Sequence, residues 1–160
     1  MKKTKKHDGF TIIEVVLVLA IAGLIFLMVF IAWPALQRSQ RDTQRRNDMA
    51  RFLSQLSSYQ TNNNGMVPSG ENGDKFTDFR DKYLLVGGDK WNDPSTGETY
   101  KINQRRCTKT DCTNYSSESN DLQVYYNATC DGENPVYKQG VNNIAITLKL
   151  EGSGIYCGHN

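Results

Sequence analysis

Nineteen consecutive residues, Val15 to Trp33, carry no charge, and Gly23 is the only one that is not plainly apolar. Counted from Phe10 the run is 24 residues, about 36 Å as a helix at 1.5 Å per residue. That is enough to cross a hydrocarbon core of about 30 Å. One carboxylate, Glu14, stands just inside it. A glutamate costs roughly 2.5–3.5 kcal/mol at the bilayer centre and less nearer the interface, so its presence points to use. Lys2, Lys3, Lys5 and Lys6 precede the run, which holds the N-terminus in the cytoplasm and sends the residues after Trp33 outside. A secretory signal has a shorter apolar stretch and a small-residue cleavage site, and "FIAWPAL" offers none. A plain uncleaved anchor accounts for the run and its orientation but not for Glu14.

The formal charge of +2 conceals its distribution. Residues 1–9 are net +3, residues 38–51 (five Arg, two Asp) are net +3, and residues 61–160 (10 basic, 13 acidic) are net −3. Arg38, Arg41, Arg45, Arg46 and Arg51 read as a solvated helix face, or as contacts to lipid headgroups or neighbouring stalks. All four cysteines lie beyond residue 100. On the outer side of a membrane an even count reads as two disulfides. Zinc is the rival reading, and Cys-x4-Cys with scattered partners fits it poorly. Cys107 and Cys112 would close a small loop, and Cys130 and Cys157 would pin the C-terminal edge of the sheet. Four cysteines allow three pairings.

Trp33 suits the membrane interface, and Pro34 removes the bond to the carbonyl of Phe30, which predicts a helix bend. Residues 35–60 then contain no breaker. Met49, Phe52, Leu53, Leu56 and Tyr59 recur at helical spacing, a stripe suited to covering a sheet. "NNNGMVPSG" ends that helix, and "DKFTDFRDKYLL" reads as a short helix. Strands are predicted near Thr99–Asn103 and over 122–128, 143–150 and 154–157. A long helix on a small antiparallel sheet makes an α+β fold.

"KKHDGFTIIEVVLVLAIAGLIF" resembles the class III signal of type IV prepilins and the related pseudopilins: a short basic leader ending in Gly, then Phe, then an apolar helix with Glu fifth after the cut. The resemblance implies cleavage between Gly9 and Phe10 and N-methylation of Phe10 by a prepilin peptidase/N-methyltransferase. It makes Glu14 the family glutamate and Gly23 the usual helix glycine. Many members have a proline about eight residues after that glycine, whereas here Pro34 is eleven after it; in filaments of the family the helix often loosens between these two positions. The implied organisation is a cleaved leader 1–9, a transmembrane and filament-core helix 10–34, a helical stalk 35–60 and a head 61–160. A new amine at Phe10 would lie one turn from Glu14. Opposite charges attract strongly in low dielectric, so an incoming subunit's amine would pair with a neighbour's Glu14 and set register. The implied function is a structural subunit of a type IV pilus, alternatively a pseudopilin of a type II secretion or DNA-uptake apparatus. Partners would be a homo-oligomeric filament and the membrane assembly machinery. The path runs from single-pass cytoplasmic-membrane protein to extracellular filament.

No catalytic constellation or cofactor motif is present: His7 and His159 lie near the two ends, and there is no Cys-x-x-Cys, phosphate loop or paired-His motif. A non-enzymatic role follows, a monomeric membrane-anchored binding domain being the third class. Asp89, Asp93 and Glu98 surround a Gly turn and are three carboxylates, few for a calcium cage; an Asp-Pro turn is the plainer reading. Two sequons, at Asn114 and Asn127, are short enough to arise by chance. Lys101, Arg105, Arg106 and Lys109 form an acid-free stretch, read as soluble surface charge or as a loop for weak DNA or glycan binding.

Overall fold

The structure, a computed structural model, describes residues 9–68, 74–112, 118–140 and 142–160. The lysines of the leader, the end of the turn-rich loop and the Asn114 sequon lie outside the described residues. The chain divides into two compact units, Met1–Gln37 and Arg38–Asn160. Helix α1 (Ile12–Asn62) starts in the first, runs through Pro34 and ends in the second.

In the second unit α1 is followed by a short helix, α2 (Asp74–Phe79), and a π-helical turn, Arg80–Leu84. Among the described residues six strands follow: β1 (Lys101–Arg106), β2 (Asp121–Tyr126), β3 (Ala128–Asp131), β4 (Asn134–Tyr137), β5 (Ile144–Lys149) and β6 (Ile155–His159). A four-stranded sheet has the order β1-β2-β5-β6, and β3 and β4 form a separate hairpin. The arrangement is α+β.

The stripe on α1 meets one face of the sheet. Met49, Phe52 and Leu56 are fully buried, with Leu53 and Tyr59 packed around them, against Leu122, Val124, Ile144, Ile146 and Leu148. Each such side chain taken from water contributes about 1.5–3 kcal/mol. Contact is close at β6, where a Cβ on Gly158 would lie 2.8 Å from Leu53 Cδ1. The opposite face is covered too: Tyr125 and Ala145 pack with Ala128, Cys107, Cys130 and Tyr137. This burial on both faces explains why β2 and β5 read as nearly continuous buried runs.

Three features depart from the sequence expectation. Strand β1 runs parallel to β2, with Lys101 opposite Asp121 and Arg106 opposite Tyr126, while β2–β5 and β5–β6 are antiparallel. Parallel pairing needs a return connection of a dozen or more residues, and 107–120 supplies it. The second is the β3–β4 hairpin, which pairs Asp131 with Asn134 around Gly132 (φ 60°) and Glu133. A glycine opening a two-residue loop signals such a turn; Pro135, opposite Cys130, masks the second strand because proline is confined to edges. The first strand begins at Lys101 rather than Thr99 because Thr99 bridges to Asn92, closing the preceding turn.

A buried polar network locks α1 to these elements. Arg45 and Asp93 are both fully buried, with Arg45 Nε donating to Asp93 Oδ2 at 2.6 Å and Nη2 to Oδ1 at 3.2 Å. The same guanidinium donates to Asp42 at 3.0 Å, Ser95 at 2.8 Å and Glu151 at 2.9 Å. Asp42 in turn accepts the backbone N–H of Glu151 and of Gly152, at 2.9 and 2.8 Å, and Arg41 grips Glu151 through Nε and Nη2.

Burial by itself would raise the Asp93 carboxyl, but hydrogen bonds from Arg45, then from the Ser95 hydroxyl and the Ser95 and Thr96 N–H groups, hold it down at about 2 against an ordinary 3.8. A depressed folded pKa gives stability that is complete above the unfolded value and lost as pH falls through the folded one. Asp93→Asn is therefore expected to cost about 2–3 kcal/mol at neutral pH. The difference from the parent should shrink between pH 4 and pH 2 in denaturant melts of the detergent-solubilised chain; a gap that stays constant over that range contradicts the assignment. The disulfides join Cys107 to Cys112 and Cys130 to Cys157, at sequence separations of 5 and 27. Removing the longer link should cost about 3–4 kcal/mol and the shorter about 2 kcal/mol. Peptide mapping without reductant should recover these two pairs, and a fragment joining Cys107 to Cys130 or Cys157 would refute them.

Candidate processing and assembly site

Gly9 and Phe10 precede the first turn of α1, and the Phe10 ring is 91% exposed. Thr11 caps the helix. Its hydroxyl accepts the Glu14 N–H at 3.4 Å, while Glu14 Oε2 accepts the Thr11 N–H at 2.8 Å and the Thr11 hydroxyl at 2.7 Å. This is a reciprocal capping box, Thr-x-x-Glu, which satisfies backbone donors that a helix start leaves open. It also sets a carboxylate at the positive end of the helix dipole. The motif was legible in "TIIE"; the sequence reading gave Glu14 only an intermolecular role and missed the local one.

From Ile12 to Leu36 the helix exposes apolar side chains all round, among them Ile12, Leu17, Leu24, Phe26, Phe30 and Trp33. The helix is long and apolar enough to cross a membrane, and none of its most apolar stretch is covered by the protein. A helix apolar on every side belongs in lipid or among other helices. Around Gly23 no atom lies within 4 Å of where a Cβ would stand.

The other candidate residues go elsewhere. Asp93 is committed to Arg45, Asp89 pairs with Arg51 at 2.8 Å, and Glu98 accepts from Asn120 at 3.3 Å. Among the described residues no group of three metal-ligating side chains converges, so the calcium reading of Asp89, Asp93 and Glu98 gains no geometry. Asp93 instead shapes the turn, accepting the N–H groups of Ser95 and Thr96. The basic stretch is not a loop. Lys101, Arg105 and Arg106 lie in edge strand β1, where successive side chains face opposite ways. Lys101 pairs with Glu118 at 3.3 Å and Arg105 donates to Gln123 at 3.1 Å, while Lys109 sits within the Cys107–Cys112 loop. The four charges are dispersed.

Three of the five arginines next to the apolar run also turn inward. Arg41 and Arg45 join the network described above, and Arg51 donates to the Leu84 carbonyl at 2.7 Å as well as to Asp89. The solvated-face reading fails for these three because each finds a carboxylate or carbonyl of the folded unit. Arg46 lies over the Tyr156 ring, 6.0 Å from its centroid.

No curated protein and no solved structure matches the chain. Residues 4–30 match the family model of the prokaryotic N-terminal methylation motif, a span that includes Gly9, Phe10, Glu14 and Gly23 and stops short of Pro34. The chain thus opens with a class III signal of the type IV pilin and prepilin kind.

Proposed function

We propose that this chain is the structural subunit of a type IV pilus. The observation that carries the reading is a single capped carboxylate, Glu14, at the head of an exposed apolar helix and in frame with Gly9–Phe10. A prepilin peptidase removes residues 1–9, and the new amine on Phe10 is methylated. The capping box joins Thr11 to Glu14, both on the mature side of the cut, so Glu14 keeps its Thr11 contacts after cleavage. Those contacts use Oε2 and leave Oε1 for the amine of an adjacent subunit. That attraction strengthens in the low dielectric among packed helices, and it is gained only at the correct axial offset. The surrounding Val, Leu and Ile side chains leave lipid for neighbouring helices and form the filament core. Before assembly the chain is a single-pass cytoplasmic-membrane protein with its cysteines outside, where disulfides persist.

A pseudopilin shares the leader and the helix chemistry and differs in lacking long surface filaments as its product. Labelling the folded unit and imaging cells separates the two: long labelled filaments support the pilus, and their absence with intact processing supports the pseudopilin.

Mass spectrometry of the mature chain should find a methylated N-terminal Phe10; a chain in filaments that still begins at Met1 would refute the reading. Glu14→Ala should leave membrane insertion intact while abolishing or greatly reducing filaments. Normal filament yield from that variant would remove the register role.

A further inference from the structure

Between the C-terminal end of α1 and the α2–π-turn segment lies a cleft of about 320 Å³, lined chiefly by Tyr59, Phe79, Tyr83, Lys75, Lys82 and Asp78. Small-molecule sites span about 300–1,000 Å³, so this cleft holds one sugar-sized ring rather than a nucleotide. Its wall is built by an unusual backbone. The Leu85 N–H reaches back five residues to the Arg80 carbonyl at 3.0 Å, the hydrogen bond of a π turn, a feature concentrated at functional sites. Arg51 on α1 anchors its end through the Leu84 carbonyl.

The widened turn sets Tyr83 beside Tyr59 (centroids 5.6 Å apart, 68° between planes) and against Phe79 (5.4 Å, 23°). Phe79 is buried, whereas Tyr59 and Tyr83 are half-buried and so present ring surface to the cleft. The rim carries Lys75 and Lys82 against one carboxylate, Asp78, a net charge of +1. Lys82 Nζ is 3.7 Å from Asp78, and the two side chains are 72% and 73% exposed. A pair that exposed is weak and opens readily to a ligand. Two ammonium groups attract an anion, while Asp78 repels a doubly charged one and offers an acceptor to hydroxyl donors. Half-buried tyrosines next to these groups suit the C–H face of a sugar ring.

We propose that this cleft binds a carboxylated monosaccharide unit, a hexuronate, whose carboxylate meets Lys75 and Lys82, whose hydroxyls donate to Asp78, and whose ring lies on the tyrosines. The same chemistry is offered by a free sugar acid and by the end of an acidic polysaccharide.

Saturation-transfer NMR on the full chain in detergent tests this, with D-glucuronate as probe and D-glucose and inorganic phosphate for comparison. Glucuronate should receive saturation at its ring protons and bind about tenfold more tightly than glucose. The exposed pair Lys75→Ala/Lys82→Ala should weaken it about tenfold with the near-ultraviolet circular dichroism unchanged. Lys82→Arg should retain binding. Competition by a uronate-terminated oligosaccharide assigns the polysaccharide source; failure to compete assigns the free acid. The proposal is overturned by no transfer to glucuronate, by equal affinity for glucose, by tighter binding of phosphate, or by a double-lysine variant that binds like the parent.

Discussion

The ion pair between Arg45 and Asp93 is the contact on which the rest of the folded unit depends. Both side chains are fully buried, and a buried charge is tolerated only when its hydrogen bonds are satisfied. Arg45 meets that condition by drawing three carboxylates and a hydroxyl to one point on α1. Asp42 comes from α1 itself, Asp93 and Ser95 from the Asp93–Thr96 turn, and Glu151 from the turn joining β5 to β6, so one side chain positions a helix, a loop and a sheet end together. Hydrophobic contacts through Met49, Phe52 and Leu56 bring α1 to the sheet, but they are non-directional. The geometry of the guanidinium selects one axial position, because a shift by a turn would leave Arg45 and Asp93 buried and unpaired.

The same α1 helix serves two solvents. Its first half exposes apolar residues on every side, while its second half buries one face and keeps Thr43, Asn47, Ser54 and Ser57 exposed. Glu14 is the charged exception in the apolar first half, and Arg45 is the fully buried charge in the second. Each is a charged group whose hydrogen bonds are met by specific partners: Thr11 for Glu14, and Asp93, Asp42 and Glu151 for Arg45. In the first half the carboxylate retains acceptor capacity for another molecule, which is the physical basis of the assembly reading. In the second half the guanidinium is spent within the fold.

The disulfides lie on the side of the sheet opposite α1. Cys130–Cys157 ties the β3–β4 hairpin to β6, and Cys107–Cys112 closes the chain as it leaves β1. With α1 on one face and hairpin and disulfides on the other, a small sheet has both faces covered. A unit of this size gains much from such cross-links because its hydrophobic core is modest.

The local signals were legible in the sequence. Charge-free length gave the apolar helix, Gly9–Phe10 and Glu14 gave the signal, and the spacing of Met49, Phe52 and Leu56 gave the face that packs on the sheet, because each depends on residues close together in the chain. The capping box and the Gly132–Glu133 turn were equally local, though the first was overshadowed by the assembly reading and the second by Pro135. What only the tertiary structure decided was the fate of the charges and the direction of β1. Whether Arg45 faces solvent or Asp93 depends on a partner 48 residues away, and no periodicity carries that information. Asp93 has the same composition cue whether it binds a cation or a guanidinium. The parallel direction of the β1 edge strand is likewise a matter of its pairing with β2, and strand propensity is blind to direction. Pairing over long separations is set by the packed whole, since the cost of an unsatisfied buried charge is felt only once the chain has closed around it.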